Sequence, residues 1–191
     1  MQRICVFCGS QVGTNSLYQQ AATDLGRLLA QHGYGLVYGG GHVGLMGVIA
    51  DAVLASGGEV IGVIPESMVA RELAHTGVTH LHVVPGMHER KARMAALADA
   101  FIALPGGYGT FEELFEVITW AQLGLHRKPI GLLNVAGYFN ALKALVEHAI
   151  TEGFIKSEHQ RLLSIADDPA TLLDTLGLST GHAVHVDRRN S

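Results

Sequence analysis

Residues 104–113 read LPGGYGTFEE, placing Gly106, Gly107 and Gly109 just ahead of Thr110 and the paired carboxylates Glu112 and Glu113. Glycines that feed a helix leave backbone N–H groups open to an anion, phosphate above all. A phosphate cradle does not ordinarily carry two carboxylates a few residues further on. Those carboxylates have two readings. Thr110-Phe111-Glu112-Glu113 fits a capping box, with Thr110 capping a helix and Glu113 reaching back to its amide. Acidic residues in a first helical turn are also favoured by the helix dipole. Alternatively, Glu113 faces a bound molecule and does chemistry there. Local physics does not choose between the two.

Two further glycine clusters occur, CGSQVG at 8–13 and YGGGHVGLMG at 38–47. Within the second, Gly39, Gly41 and Gly44 formally match a dinucleotide fingerprint. The match is weak, because the cluster follows the second candidate strand rather than the first. Glu59 has the spacing of a ribose-binding acid but opens its strand, and Glu66 ends it too late. No Gly-x-x-x-x-Gly-Lys-Ser/Thr sequence is present, which excludes a P-loop. Glycines at successive strand ends predict a ligand site built from backbone amides, with Ser10, Gly40 and Gly41 beside residues 106–110.

The elements that must hold these loops read as alternating strands and helices. RICVFC, GLVY, EVIGVIP, HLHVV, AFIALP and PIGLL are short apolar runs of the kind found in strands covered on both faces. Amphipathic stretches lie between them near 16–32, 44–57, 87–99, 110–124 and 138–152, and a last pair, LLSIA and 169–177, follows. The pattern predicts an α/β fold: a Rossmann-like, doubly wound, mainly parallel sheet with helices on both faces. One domain over 1–178 and a polar, loose tail at 179–191 are expected. In such sheets ligands sit at the carboxyl ends of the strands, where the glycines gather.

Composition narrows the function classes. With 48% hydrophobic and 16% charged residues in a chain of 191, a large core is expected and disorder is not. A net charge of −4 offers no surface for nucleic acid or an anionic membrane. The one basic cluster is Arg90, Lys91 and Arg93. Every apolar run is broken before it could span a bilayer, and MQRICVFC enters a strand at once, so a cytoplasmic location is expected. Cys5 and Cys8 form C-x-x-C, but within a strand they point to opposite faces and read as buried thiols. His75, His80 and His82, with His88 nearby, lack a companion carboxylate or thiolate at ligand spacing and read as solvated or locally hydrogen-bonded.

Read together, Pro105-Gly106-Gly107-Tyr108-Gly109-Thr110-Phe111-Glu112-Glu113 and Met87-His88-Glu89-Arg90-Lys91 resemble the PGGxGTxxE and MxxRK motifs of the Lonely Guy (LOG) family. The resemblance extends from VFCGS and YGGGHVGLMG through VIP and RELAH to EVITWAQLG and KPIGLLN. It implies a cytokinin-activating nucleoside 5′-monophosphate phosphoribohydrolase, which frees a base and ribose 5-phosphate. Glu113 is then the implied catalytic carboxylate and Arg90 its partner, while Arg93 reads as a solvated charge. Glu72, Lys91, Gly106 to Thr110 and Thr119 match substrate-binding positions. No metal or other cofactor is implied. A homodimer is implied, for which the apolar helix around Trp120 is a candidate interface. Two other readings stay open: a non-catalytic nucleotide or molybdenum-cofactor carrier, and a general hydrolase of AMP and similar nucleotides. Older descriptions of such proteins as lysine decarboxylases find little support in a chain with four lysines.

Overall fold

The computed structural model describes residues 1–70 and 73–178, so the expected tail at 179–191 lies outside the described residues. Its strands are β1 (Arg3–Phe7), β2 (Gly35–Tyr38), β3 (Val60–Pro65), β4 (His80–Val84), β5 (Ala100–Ala103), β6 (Ile130–Leu133) and β7 (Ser164–Ala166). The helices are α1 (Ser16–Gln31), α2 (Gly44–Ala55), α3 (Met87–Leu97), α4 (Tyr108–Gln122), α5 (Asn140–Thr151) and α6 (Pro169–Thr175). All strand pairs are parallel, in the order β4-β3-β2-β1-β5-β6-β7. The sheet therefore exceeds the expected "mainly parallel". The one antiparallel feature among the described residues is an isolated bridge between Gly41 and Ala74.

The core follows from strand alternation. Ile4, Val6, Leu36, Tyr38 and Ile102 face one way and meet Leu25 and Leu29 of α1, Ile49 of α2 and Leu172 of α6. Cys5, Phe7, Val37, Phe101 and Leu132 face the other and meet Met94 of α3 with Leu114 and Val117 of α4. Each fully buried Leu, Ile or Phe contributes about 1.5–3 kcal/mol of burial, so both faces must be covered for so apolar a sheet to be stable. The two thiols divide as expected, Cys5 to one layer and Cys8 to the other. Both remain free, and burial pushes both thiols well above their usual pKa.

Sequence order and strand order part company at β1. The chain moves from β1 outward through β2, β3 and β4, then returns through α3 to place β5 on β1's other side. This is the topological switch point, where the ends of neighbouring strands diverge and leave a crevice. The loops after β1 and β5 remain tied there, with Gly9 N–H donating to Pro105 O at 3.1 Å.

Candidate active site

A cavity of about 240 Å³ opens at that crevice. Its walls come from the loop after β1 at Ser10, the end of β2 at Gly39, α3 at Arg90, and the start of α4 from Gly107 to Glu113. Gly44 begins α2 at φ +62°, and a Cβ there would overlap the Ser10 backbone. Glycine is therefore what lets α2 nest against the β1 loop, a contact closed by Leu45 N–H donating to Gly9 O at 3.0 Å.

The capping box is not formed. α4 starts two residues earlier than expected, with Gly107 at its N-cap and no side-chain cap. Thr110 is consequently inside the first turn and only 4% exposed. Glu113 lies in the second turn, half-buried on the cavity wall, where capping geometry is out of reach. The opening N–H groups of α4 lack partners within the helix and sit at the cavity, as an anion site requires.

Arg90 is 6% exposed, an unusual place for a guanidinium. Its Nη2 donates to Gly39 O at 3.1 Å and its Nη1 lies 3.8 Å from Met87 Sδ. The charges of Glu113 and Arg90 are both felt at the Cys5 and Cys8 thiols. Burial raises these pKa values most, Glu113 raises them further, and Arg90 opposes the rise. A buried cation and a carboxylate thus share one wall. Arg93, three residues further along α3, is exposed as expected.

The other anticipated residues divide. Ser10, Gly107, Tyr108, Gly109 and Thr110 line the cavity with Arg90 and Glu113. Gly106 lines an adjoining crevice with Tyr138, whose hydroxyl donates to Gly106 O. Gly40 and Gly41 are buried behind the cavity, where Gly40 O accepts from His75 N–H at 2.9 Å, and Gly39 takes the wall position. Lys91 does not line the cavity: its Nζ sits between Glu112 Oε1 at 2.5 Å and Glu116 Oε1 at 3.0 Å. Its hydrogen bond to Glu112 is the main cause of a raised pKa. Thr119 faces a different groove, its hydroxyl donating to Phe115 O at 2.7 Å. Glu72 lies outside the described residues. Glu59, the formal ribose acid of the dinucleotide reading, is held by Arg3 at 2.9 Å instead.

Sequence reasoning placed Gly39 only in the weak dinucleotide match and missed three methionines, Met46, Met68 and Met87, which give the cavity an apolar lining. Met87 opens the MHERK stretch; nothing along the chain connects it with the other two. Thioethers are polarizable and adaptable, which suits a flat or variable apolar group.

With this geometry established, three comparisons bear on the chain. A family model described as "Possible lysine decarboxylase" matches residues 46–176. The chain is 55% identical over 162 residues to the cytokinin riboside 5′-monophosphate phosphoribohydrolase LOG of Oryza sativa subsp. japonica, covering 85% of this chain and 67% of that protein. It is 53% identical over 174 residues to the Arabidopsis thaliana enzyme LOG4 of the same name, covering 91% and 81% respectively. Among solved structures, the Moco carrier protein of Chlamydomonas reinhardtii superposes with a TM-score of 0.68 at 23% identity, covering 92% of this chain and 95% of that one. That likeness is one of fold.

Proposed function

The chain belongs to the Lonely Guy family, and from that membership we propose that it hydrolyses the N-glycosidic bond of N6-modified adenosine 5′-monophosphates to free base and ribose 5-phosphate. The observation that carries the reading is the shared wall: the amides opening α4, with Glu113 one turn on and Arg90 beside it. Glycosidic cleavage builds positive charge on the ribose. Glu113 stabilises that charge and activates water, while the amides at 107–110 hold the phosphate several ångströms away. Arg90 positions the nucleotide. The methionine lining receives the base and its apolar N6 substituent. Incubation with AMP, N6-isopentenyl-AMP, GMP and CMP, assayed for released base, tests this. Release is expected from the adenine nucleotides, most from the isopentenyl form. No base from any of them would end the hydrolase reading, and AMP alone would favour a general nucleosidase.

A decarboxylase would need a lysine free to form a Schiff base in the cavity. Lys91 is held by two carboxylates, Lys128 Nζ donates to Ala95 O at 2.8 Å, and no lysine lines the cavity among the described residues.

Lys91 has a different part. Its side chain, 12% exposed, joins α3 to α4 through Glu112 and Glu116. We assign it the task of holding Arg90's helix against Glu113's. Lys91→Met is expected to lower kcat by roughly tenfold or more through misplacement with KM nearly unchanged, and Lys91→Arg to recover most of the loss. A raised KM with kcat intact would return Lys91 to direct nucleotide contact.

The working form is proposed to be a cytoplasmic homodimer. An apolar groove of about 350 Å³ runs between α4 and α5, lined by Phe115, Ile118, Leu142 and Val146. Leu145, Leu123 and Leu125 are also exposed on these elements and the turn after α4. A second copy would cover this face. Thr119 lines the groove, so any contact it makes with nucleotide runs through a partner subunit. Trp120, the residue singled out in the sequence, packs inward on the core.

A further inference from the structure

Around the glycine loop after β2, three side chains from three segments converge. His42 stands in the glycine loop after β2, Asp51 on α2, and His75 in the strap at 73–75. The strap is stitched to the loop by the Gly41–Ala74 bridge, by His42 N–H donating to Leu73 O at 3.0 Å, and by His75 N–H donating to Gly40 O at 2.9 Å. The donor atoms of the three side chains all lie within 4.8 Å of one another. His75 is buried while His42 and Asp51 are exposed, so the cluster has a fixed floor and an open mouth. The two imidazoles meet edge-on, with centroids 4.5 Å apart at 80°.

We propose that His42, Asp51 and His75 bind a borderline divalent transition ion of the zinc, cobalt or nickel class, apart from the hydrolytic reaction. His75 Nε2 and Asp51 Oδ1 are 2.9 Å apart, about half an ångström short of the ~3.4 Å between neighbouring donors on a tetrahedral ion with bonds of about 2.0–2.2 Å, a gap that a small side-chain rotation closes. Two imidazoles and one carboxylate suit that class. Calcium and magnesium, which demand oxygen, are poorly served. Copper(I) would want sulfur, and neither buried thiol, Cys5 nor Cys8, belongs to the cluster. Three protein donors leave further positions to water at the exposed mouth.

The proton balance can be followed on His75. Gly77 N–H donates to its Nδ1 at 3.2 Å, so the neutral ring carries its proton on Nε2 and gives it to Asp51. An ion taking Nε2 sends that proton to Nδ1, with no net release. The Gly77 amide, in an exposed turn, then swings to water. Losing this bond keeps the site weaker than a closed structural zinc centre, where the second nitrogen finds an acceptor ready. Bound there, the ion links the glycine loop, α2 and the strap into one unit.

The test is a titration of the full chain with Co²⁺, read by visible absorption, alongside thermal unfolding at rising Co²⁺. One saturable site is expected, with a midpoint that climbs with the ion. His42→Asn and Asp51→Asn should each weaken binding on the order of tenfold or more and abolish the thermal shift. Both replace exposed side chains, so the fold is kept. A His182→Asn/His185→Asn variant, which removes the histidines at the chain's end, should bind like the parent. Absence of saturable binding would overturn the proposal. So would a His42→Asn protein that titrates like the parent.

Discussion

Glu113→Gln is expected to lower turnover by about 10²–10⁴-fold, the usual range for removing a group that stabilises or transfers charge in the transition state. The amide keeps the shape of the side chain and nearly its helix propensity, so α4 should form as before. What it loses is the negative charge. A neutral amide neither offsets the cationic ribose nor takes a proton from water. The substrate in its ground state carries no charge at that carbon, so KM should change little while kcat and kcat/KM fall together. The structure makes this substitution cleaner than the sequence promised. Because α4 is capped by Gly107 and Glu113 lies in its second turn, the change removes no capping bond. Steady-state rates with N6-isopentenyl-AMP, normalised to the folded fraction by circular dichroism, give the answer. Near-normal turnover in folded Glu113→Gln would remove Glu113 from the chemistry.

The start of α4 also shows where sequence reasoning was weak. Gly107 and Gly109 read as loop because glycine disfavours a helix by about 1 kcal/mol relative to alanine, and Thr110 looked like the first natural cap. Tertiary contact decided otherwise: Gly106, where a Cβ would overlap Gly9 N and Thr110, lets the chain lie against the β1 loop, and Thr110 was buried, while Gly107 and Gly109 face open space. The strands were far easier. GLVY and HLHVV run over the observed β2 and β4 without adjustment, since continuous apolar runs between glycine turns leave few alternatives. Arg90 and Glu113 were legible through their motifs. Gly39's place at the cavity, the methionine lining and Lys91's two partners were not, because each depends on which strand ends and helices become neighbours after the chain doubles back at β1. The same is true of His75, which looked closest to His80 and His82 along the chain. In space it meets His42 and Asp51, while His80 is exposed and His82 is a histidine whose pKa is lowered, chiefly by burial and then by Arg93.

Gly39→Ala should cost about 10²-fold or more in kcat, the scale of loss that follows a misplacement of about 1 Å at a reacting centre. Gly39 directly follows β2 without a side chain, and Arg90 reaches across from α3 to fill the space. A Cβ at Gly39 would overlap Arg90 Nη2 and stand 3.1 Å from both Arg90 Cζ and Met46 Sδ. At 6% exposure the guanidinium's open side is the cavity itself, so it can shift only into space the nucleotide would occupy. It must give up its 3.1 Å bond to Gly39 O and rotate out of register with Glu113. Displacing a hydrogen bond to a charged group, together with overpacking, lowers stability by roughly 1–3 kcal/mol, which a well-packed domain of this size survives. The activity loss should therefore exceed what partial unfolding explains. The decisive measurement is a double-mutant cycle with Arg90→Ala. If one added methyl acts by evicting Arg90, the double variant is no slower than Arg90→Ala alone, because the second change finds nothing left to displace. Additive losses would mean that Gly39 serves the cavity directly, by letting the nucleotide approach the end of β2. Wild-type turnover in folded Gly39→Ala would show that the guanidinium's placement is not what the reaction depends on.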